Sequence, residues 1–139
     1  IQTLDAIFSG AFRKIVQNNR ELHRQHIDQL ASQVVRQIEQ SYADSDLSPT
    51  RIADSLGMSS AYLGRIFRES TQISISQYLN QTRIRRAEEL LRETEQPVET
   101  VAGLVGFSNP KYFYVVFKNI TGQTPLQFRK AVHSASEKN

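Results

Sequence analysis

The chain carries one pattern twice, and that repetition limits its fold more than any other feature. The first copy, IADSLGMSSAYLGRIFR, runs from Ile52 to Arg68, and the second, VAGLVGFSNPKYFYVVFK, from Val101 to Lys118. Ile52, Ala53, Leu56, Gly57 and Ser59 match Val101, Ala102, Val105, Gly106 and Ser108 at a spacing of 49 residues. One extra residue then enters the second copy. Leu63, Ile66, Phe67 and Arg68 therefore match Phe113, Val116, Phe117 and Lys118 at a spacing of 50, and the match continues through Ser74 and Thr124 to Tyr78 and Phe128. Self-similarity of this kind means a duplicated structural unit.

Each copy reads as helix, tight turn, helix. Ser48 can cap a helix that Pro49 opens, because proline suits the first helical position. Gly57 supplies the positive-φ residue that stops it. Met58 sits in the turn, and Ser59 can cap the next helix, whose apolar face is Leu63, Ile66 and Phe67 at i, i+3, i+4 spacing. In the second copy Pro97 opens a helix with Glu99 in its first turn, Gly106 stops it, and Asn109-Pro110 starts the next. Two short helices joined by a glycine turn form a helix-turn-helix unit. Ala53 and Ala102 stand where two helices must cross closely. Ile52, Leu56, Leu63, Ile66, Phe67, Val101, Val105, Phe107, Phe113, Val116 and Phe117 are read as packing residues.

Between the copies, Ser74 and Gln77 form a capping box. Ile75, Tyr78, Leu79, Ala87, Leu90 and Leu91 stripe a helix to about Glu93, roughly 30 Å long. Thr124 and Gln127 form a matching box, and a last helix is expected to end near His133. Upstream, Leu30, Val34, Val35 and Ile38 predict a leading helix over 29–42 that packs on the first unit. Leu4, Phe8, Ala11, Ile15, Asn18 and Leu22 alternate by four and three. That spacing fits a short coiled coil with Asn18 in its seam, or a linker helix that packs on a neighbouring domain. The fold class expected is all-α: two helix-turn-helix subdomains joined by a long linking helix and preceded by an N-terminal helical segment. The divisions are 1–28, a linker or dimerisation segment; 29–73, the first subdomain; 74–93, the linking helix; 94–133, the second subdomain; and 134–139, a frayed tail.

Composition sets limits. The chain opens at Ile1, not Met, and is expected to be a fragment of a longer protein. No apolar run approaches the roughly 18 residues that span a bilayer, so no membrane contact is expected. Cysteine is absent, which removes disulfides and thiolate metal sites and suits a reducing cytosol. His23 and His26 share a helix face near Glu21 and Asp28 and are read as solvated polar residues, not metal ligands. With no catalytic constellation and no phosphate-cradling loop, the expectation is no enzyme, no cofactor and no metal. The net charge is +3, and residues 48–130 hold eleven basic against seven acidic side chains. That bias attracts a polyanion without naming it.

The segments SPTRIADSLGMSSAYLGRIFR, RIRRAEELL and VGFSNPKYFYVVFKNITGQTPLQFR carry a resemblance. From about Leu47 to Val132 the chain resembles the DNA-binding domain of AraC/XylS-type bacterial transcription regulators. The resemblance implies two helix-turn-helix subdomains that bind adjacent major grooves on one face of double-stranded DNA. It also implies work in the bacterial cytoplasm, at the nucleoid when bound, in contact with RNA polymerase. A homodimer through residues 1–28 is a further expectation. The alternative is a helical protein-interaction module without DNA binding.

On that reading, Ser60, Ala61, Gly64 and Arg65 of the first recognition helix face base edges, as do Asn109, Lys111, Tyr112, Tyr114 and Val115 of the second. The Arg65 fork matches O6 and N7 of guanine, the alternative being a phosphate contact or a surface ion pair. Phosphate contacts are expected from Ser48, Arg51, Ser59, Arg68, Arg83, Arg85, Arg86, Lys118, Arg129 and Lys130, although linking-helix arginines can instead pair with Glu88 or Glu89. Two positions depart from the family pattern. Family members often have arginine where this chain has Val115, so either Lys111 and Tyr114 take over or the second unit binds more weakly. Gln72 falls where the other copy has Gly122, a cost of about 1 kcal/mol if that helix end needs φ > 0.

Overall fold

A computed structural model describes the backbone of residues 2–137 and the side chains of residues 10–137. Among the described residues it contains seven helices: α1 (Gln2–Ser41), α2 (Pro49–Ser55), α3 (Ser60–Thr71), α4 (Ile75–Glu93), α5 (Val98–Leu104), α6 (Pro110–Thr121) and α7 (Pro125–Glu137). The side chains of Leu4 and Phe8, two positions of the expected seam, and the tail residues Lys138 and Asn139 lie outside the described residues.

The two units close as their caps dictate. The Ser48 and Ser59 hydroxyls accept the N–H groups of Arg51 at 3.1 Å and Tyr62 at 3.2 Å. The turns between the paired helices are copies of each other. Met58 N–H donates to Ala53 O at 3.0 Å, and Phe107 N–H donates to Ala102 O at 2.9 Å. Gly57 and Gly106 turn the chain at φ 68 and φ 102, values that an L side chain adopts only under strain. Ala53 and Ala102 are fully buried, as close helix crossings require. Both capping boxes form: the Ser74 and Thr124 N–H groups donate to the Gln77 and Gln127 side-chain oxygens at 2.9 Å each.

There are two main cores. Val34 and Ile38 of α1 join Ile52, Leu63, Phe67, Ile75 and Leu79 in the first. Ile84, Ala87, Leu91, Val101, Val105, Phe107, Phe113 and Phe117 make the second. The linking helix is thus a member of both cores, its first half committed to one and its second half to the other. Over 19 residues it is about 28 Å long.

Two expectations change. The leading segment is one uninterrupted helix of 40 residues, so residue 28 marks no break. What changes near there is burial: among the described residues Ile27 is the first that is buried, and Phe12, Ile15 and Leu22 before it stand exposed. The helical pattern of 29–42 simply propagates upstream, because helix growth past an existing nucleus is easy. The last helix passes the expected stop at His133 and runs to Glu137, since nothing between them is a helix breaker.

Candidate nucleic-acid interface

The buried triads Leu63–Ile66–Phe67 and Phe113–Val116–Phe117 fix the rotation of α3 and α6 about their own axes. At 3.6 residues per turn, the opposite face of α3 is Ala61, Arg65 and Arg68, and that of α6 is Lys111, Val115 and Lys118. All six residues are exposed. Each trio is the other displaced by 50 positions, so the duplication has copied a presentation surface as well as a core. Among the described residues, no ion pair involves Arg65, Arg68, Lys111 or Lys118; those formed engage His23, Arg51 and Arg86.

The N-terminal ends of both helices lie at this surface. Ser60 is exposed beside its cap. Asn109 is the N-cap of α6, its Oδ1 accepting from Lys111 N–H at 3.0 Å and Tyr112 N–H at 3.4 Å. That oxygen is therefore engaged within the protein. The Ser48 and Ser59 hydroxyls keep an O–H to donate.

Tyr62 is exposed and carries the Arg65 guanidinium over its ring at 5.5 Å, an arrangement that orients the charge. Sequence reading passed over Tyr62. The signal was there: it is the counterpart of Tyr112, fifty residues on. Tyr112 is 51% exposed, and its hydroxyl accepts from Asn80 Nδ2 at 3.3 Å, which ties the flank of α6 to the linking helix. Val115 is 57% exposed, an apolar residue at the centre of a polar front.

Several expected contact residues stand elsewhere. Tyr114 is half-buried against the second core, edge-on to Phe113, and lies off the front. Gly64 is half-buried on the equivalent flank of α3. Arg83 is only 6% exposed. Its Nε donates to Tyr42 O at 2.8 Å and its Nη2 to Asp44 O at 2.9 Å. Burial pushes its pKa below the usual arginine value, opposed by the Asp44 charge. It cannot serve a phosphate. Arg129 is half-buried and donates to Leu91 O at 3.1 Å and Thr94 O at 3.2 Å, which satisfies carbonyls at the end of α4 that the helix leaves unpaired. Two of its donors are thereby engaged within the protein.

Arg86 pairs with Glu89, and Arg51 lies 3.9 Å from Asp44 and 3.8 Å from Asp46. Both are exposed pairs, worth little and easily exchanged for another anion. Arg85 and Lys130 are exposed. His23 lies 3.8 Å from Glu69, and Asp28 accepts the Ser70 hydroxyl at 2.7 Å, so the histidine face of α1 meets the C-terminal end of α3. No helix among the described residues is long and apolar enough to cross a membrane.

A family model described as "Helix-turn-helix domain" matches residues 52–131. The chain is 37% identical over 100 residues to the Msm operon regulatory protein of Streptococcus mutans, covering 72% of this chain and 36% of that protein. It spans about a third of the length of such curated relatives. The C-terminal domain of AraT, a response regulator from Geobacillus stearothermophilus, superposes with a TM-score of 0.71 at 31% identity, over 73% of this chain and 84% of that one. The DNA-binding domain of AdpA, a global transcriptional factor in complex with a target DNA, gives a TM-score of 0.70 at 26% identity, over 79% and 97%. With its two copied units, its shared linking helix and its paired outward faces, the chain belongs to the AraC-type helix-turn-helix family of DNA-binding transcription regulators.

Proposed function

We propose that this chain is the operator-reading part of a bacterial transcription regulator, and that α3 and α6 enter neighbouring major grooves of one duplex. One observation carries the reading. Two helices locked by buried triads turn equivalent exposed faces outward, and the four cations on those faces are unpaired within the described residues. A similar fold solved with target DNA supports it. Successive grooves on one face recur about every 34–36 Å, and a 19-residue linking helix suits that separation.

Arg65 is the principal base reader, with Ser60 and Ala61 allowing close approach. Lys111, Tyr112 and Val115 read the second groove. Arg51, Arg68, Arg85, Arg86, Lys118 and Lys130 meet phosphates, with the helix N-termini at Ser48, Ser59 and Asn109. The bound regulator works at the nucleoid and contacts RNA polymerase. The exposed Phe12, Ile15 and Leu22, with Asn18 among them, serve a homodimer through residues 1–28. The function is regulatory binding, not catalysis.

Selection from a randomised duplex library, followed by footprinting, tests this. The expected result is a bipartite site of about two helical turns, with affinity that falls steeply as salt rises. A footprint confined to one groove, or retention indifferent to salt, rejects it.

A further inference from the structure

Arg83 is removed from the DNA front, yet it lies where the end of α1, the linking helix and the turn of the second unit come together. It rises from the middle of the linking helix, between the half committed to the first core and the half committed to the second. Its guanidinium donates to the backbone carbonyls of Tyr42 and Asp44, just past the end of α1. Its Cζ lies over the Phe107 ring, 5.6 Å from the centroid, in the turn that leads into α6. The Tyr42 side chain packs against both cores.

The neighbouring Gly106 shows how tightly this point is closed. A Cβ built there would overlap the Tyr42 carbonyl oxygen and stand 2.8 Å from Arg83 Nε. Three pieces of chain therefore meet around one side chain: the end of α1 from the first unit, the linking helix, and the turn of the second unit. Lysine cannot reproduce this, since a guanidinium presents a planar fork to two acceptors and a flat face to a ring, and an ammonium is a point charge.

We infer that Arg83 is a positioning residue, which fixes the attitude of α6 relative to α3 so that the two helices meet a bipartite site as one rigid reader. This rests on the DNA-binding reading above. Two linked binding elements gain affinity over either alone only when both can engage at once, and a joint that wanders forfeits that gain. Arg83 touches no DNA in this account. It acts through the geometry of residues that do.

The test compares Arg83→Met, Arg83→Lys and Gly106→Ala with the parent chain, and with Val34→Ala, a packing change in the first core. The DNAs are the selected bipartite duplex and the same duplex with one half randomised. In Arg83→Met, affinity for the single half-site stays within about twofold, affinity for the bipartite duplex falls by roughly tenfold or more, and the preference for one half-site spacing flattens. Arg83→Lys lies between. Val34→Ala leaves the ratio of the two affinities unchanged.

A second readout needs no DNA. The chain has no cysteine, so spin labels at Thr50→Cys and Thr100→Cys, exposed positions of α2 and α5, report the distance between the units. The distribution is narrow in the parent and broad in Arg83→Met. If Arg83→Met does not fold, Gly106→Ala, which presses the same joint from its other side, carries both measurements; failure of both to fold overturns the proposal. A narrow distribution with the affinity ratio intact overturns it, as does equal loss on both duplexes by a folded variant. A parent chain that binds neither duplex sinks the DNA reading, while the label distances still decide the joint.

Discussion

Gln72 and Gly122 hold the same left-handed position at the ends of their recognition helices, at φ 70 and φ 81. Each N–H donates at 2.8 Å, to Arg68 O and Lys118 O respectively. Glycine takes this conformation without cost and glutamine does not. The Gln72 side chain recovers part of the difference by donating Nε2 to Glu69 O at 3.2 Å. Gln72→Gly is expected to stabilise the chain by about 0.5–1 kcal/mol, and Gly122→Gln to destabilise it by a similar amount. Urea denaturation with unchanged m-values checks both.

Arg65→Ala is expected to weaken binding to the selected duplex by about 1–3 kcal/mol and to relax the preference at one base pair. Tyr62→Leu, which removes the ring beneath the guanidinium, is expected to cost a smaller part of the same preference, about 0.5–1 kcal/mol. Titrations on selected and random duplexes separate the cases. Equal loss on both DNAs would assign Arg65 to the phosphates.

Val115→Arg places a guanidinium where α3 has Arg65. Affinity is expected to rise, and the slope of log affinity against log salt to steepen by about one ion. The substituted side chain is exposed in the native fold, so thermal stability should stay within about 0.5 kcal/mol of the parent. An unchanged salt slope would show that this face of α6 does not approach the duplex.

The Tyr78 hydroxyl donates to Glu39 Oε1 at 3.0 Å, between α4 and α1. Burial, and then the Glu39 carboxylate, raise its pKa. The folded chain therefore holds this proton more tightly than the unfolded chain, where tyrosine ionises near about 10. The stabilisation is complete below that value and is lost as pH rises through the raised folded value. Relative to the parent, Tyr78→Phe should lose less stability above about pH 10, measured by urea midpoints across an alkaline series.

The sequence showed what depends on neighbours in the chain. The capping boxes at Ser74 and Thr124, the turns at Gly57 and Gly106 and the two buried triads are local patterns with periods of three or four, and each was readable before any coordinates. Arg83 and Arg129 were not. In the sequence they look like any basic residue on a helix, and what engages their guanidinium groups is carbonyls 35–41 positions away. Tyr114 was misplaced by one flank of its helix, a difference that depends on where the second core ends. Tyr62, which was passed over, stands in solvent beside Arg65.

The 40-residue α1 has no joint between the exposed stretch around Phe12, Ile15 and Leu22 and the part seated on α3. At about 60 Å it is roughly twice the length of the linking helix. One unbroken helix thus runs from Phe12, Ile15 and Leu22 in solvent to the Tyr42 carbonyl that Arg83 holds beside Gly106.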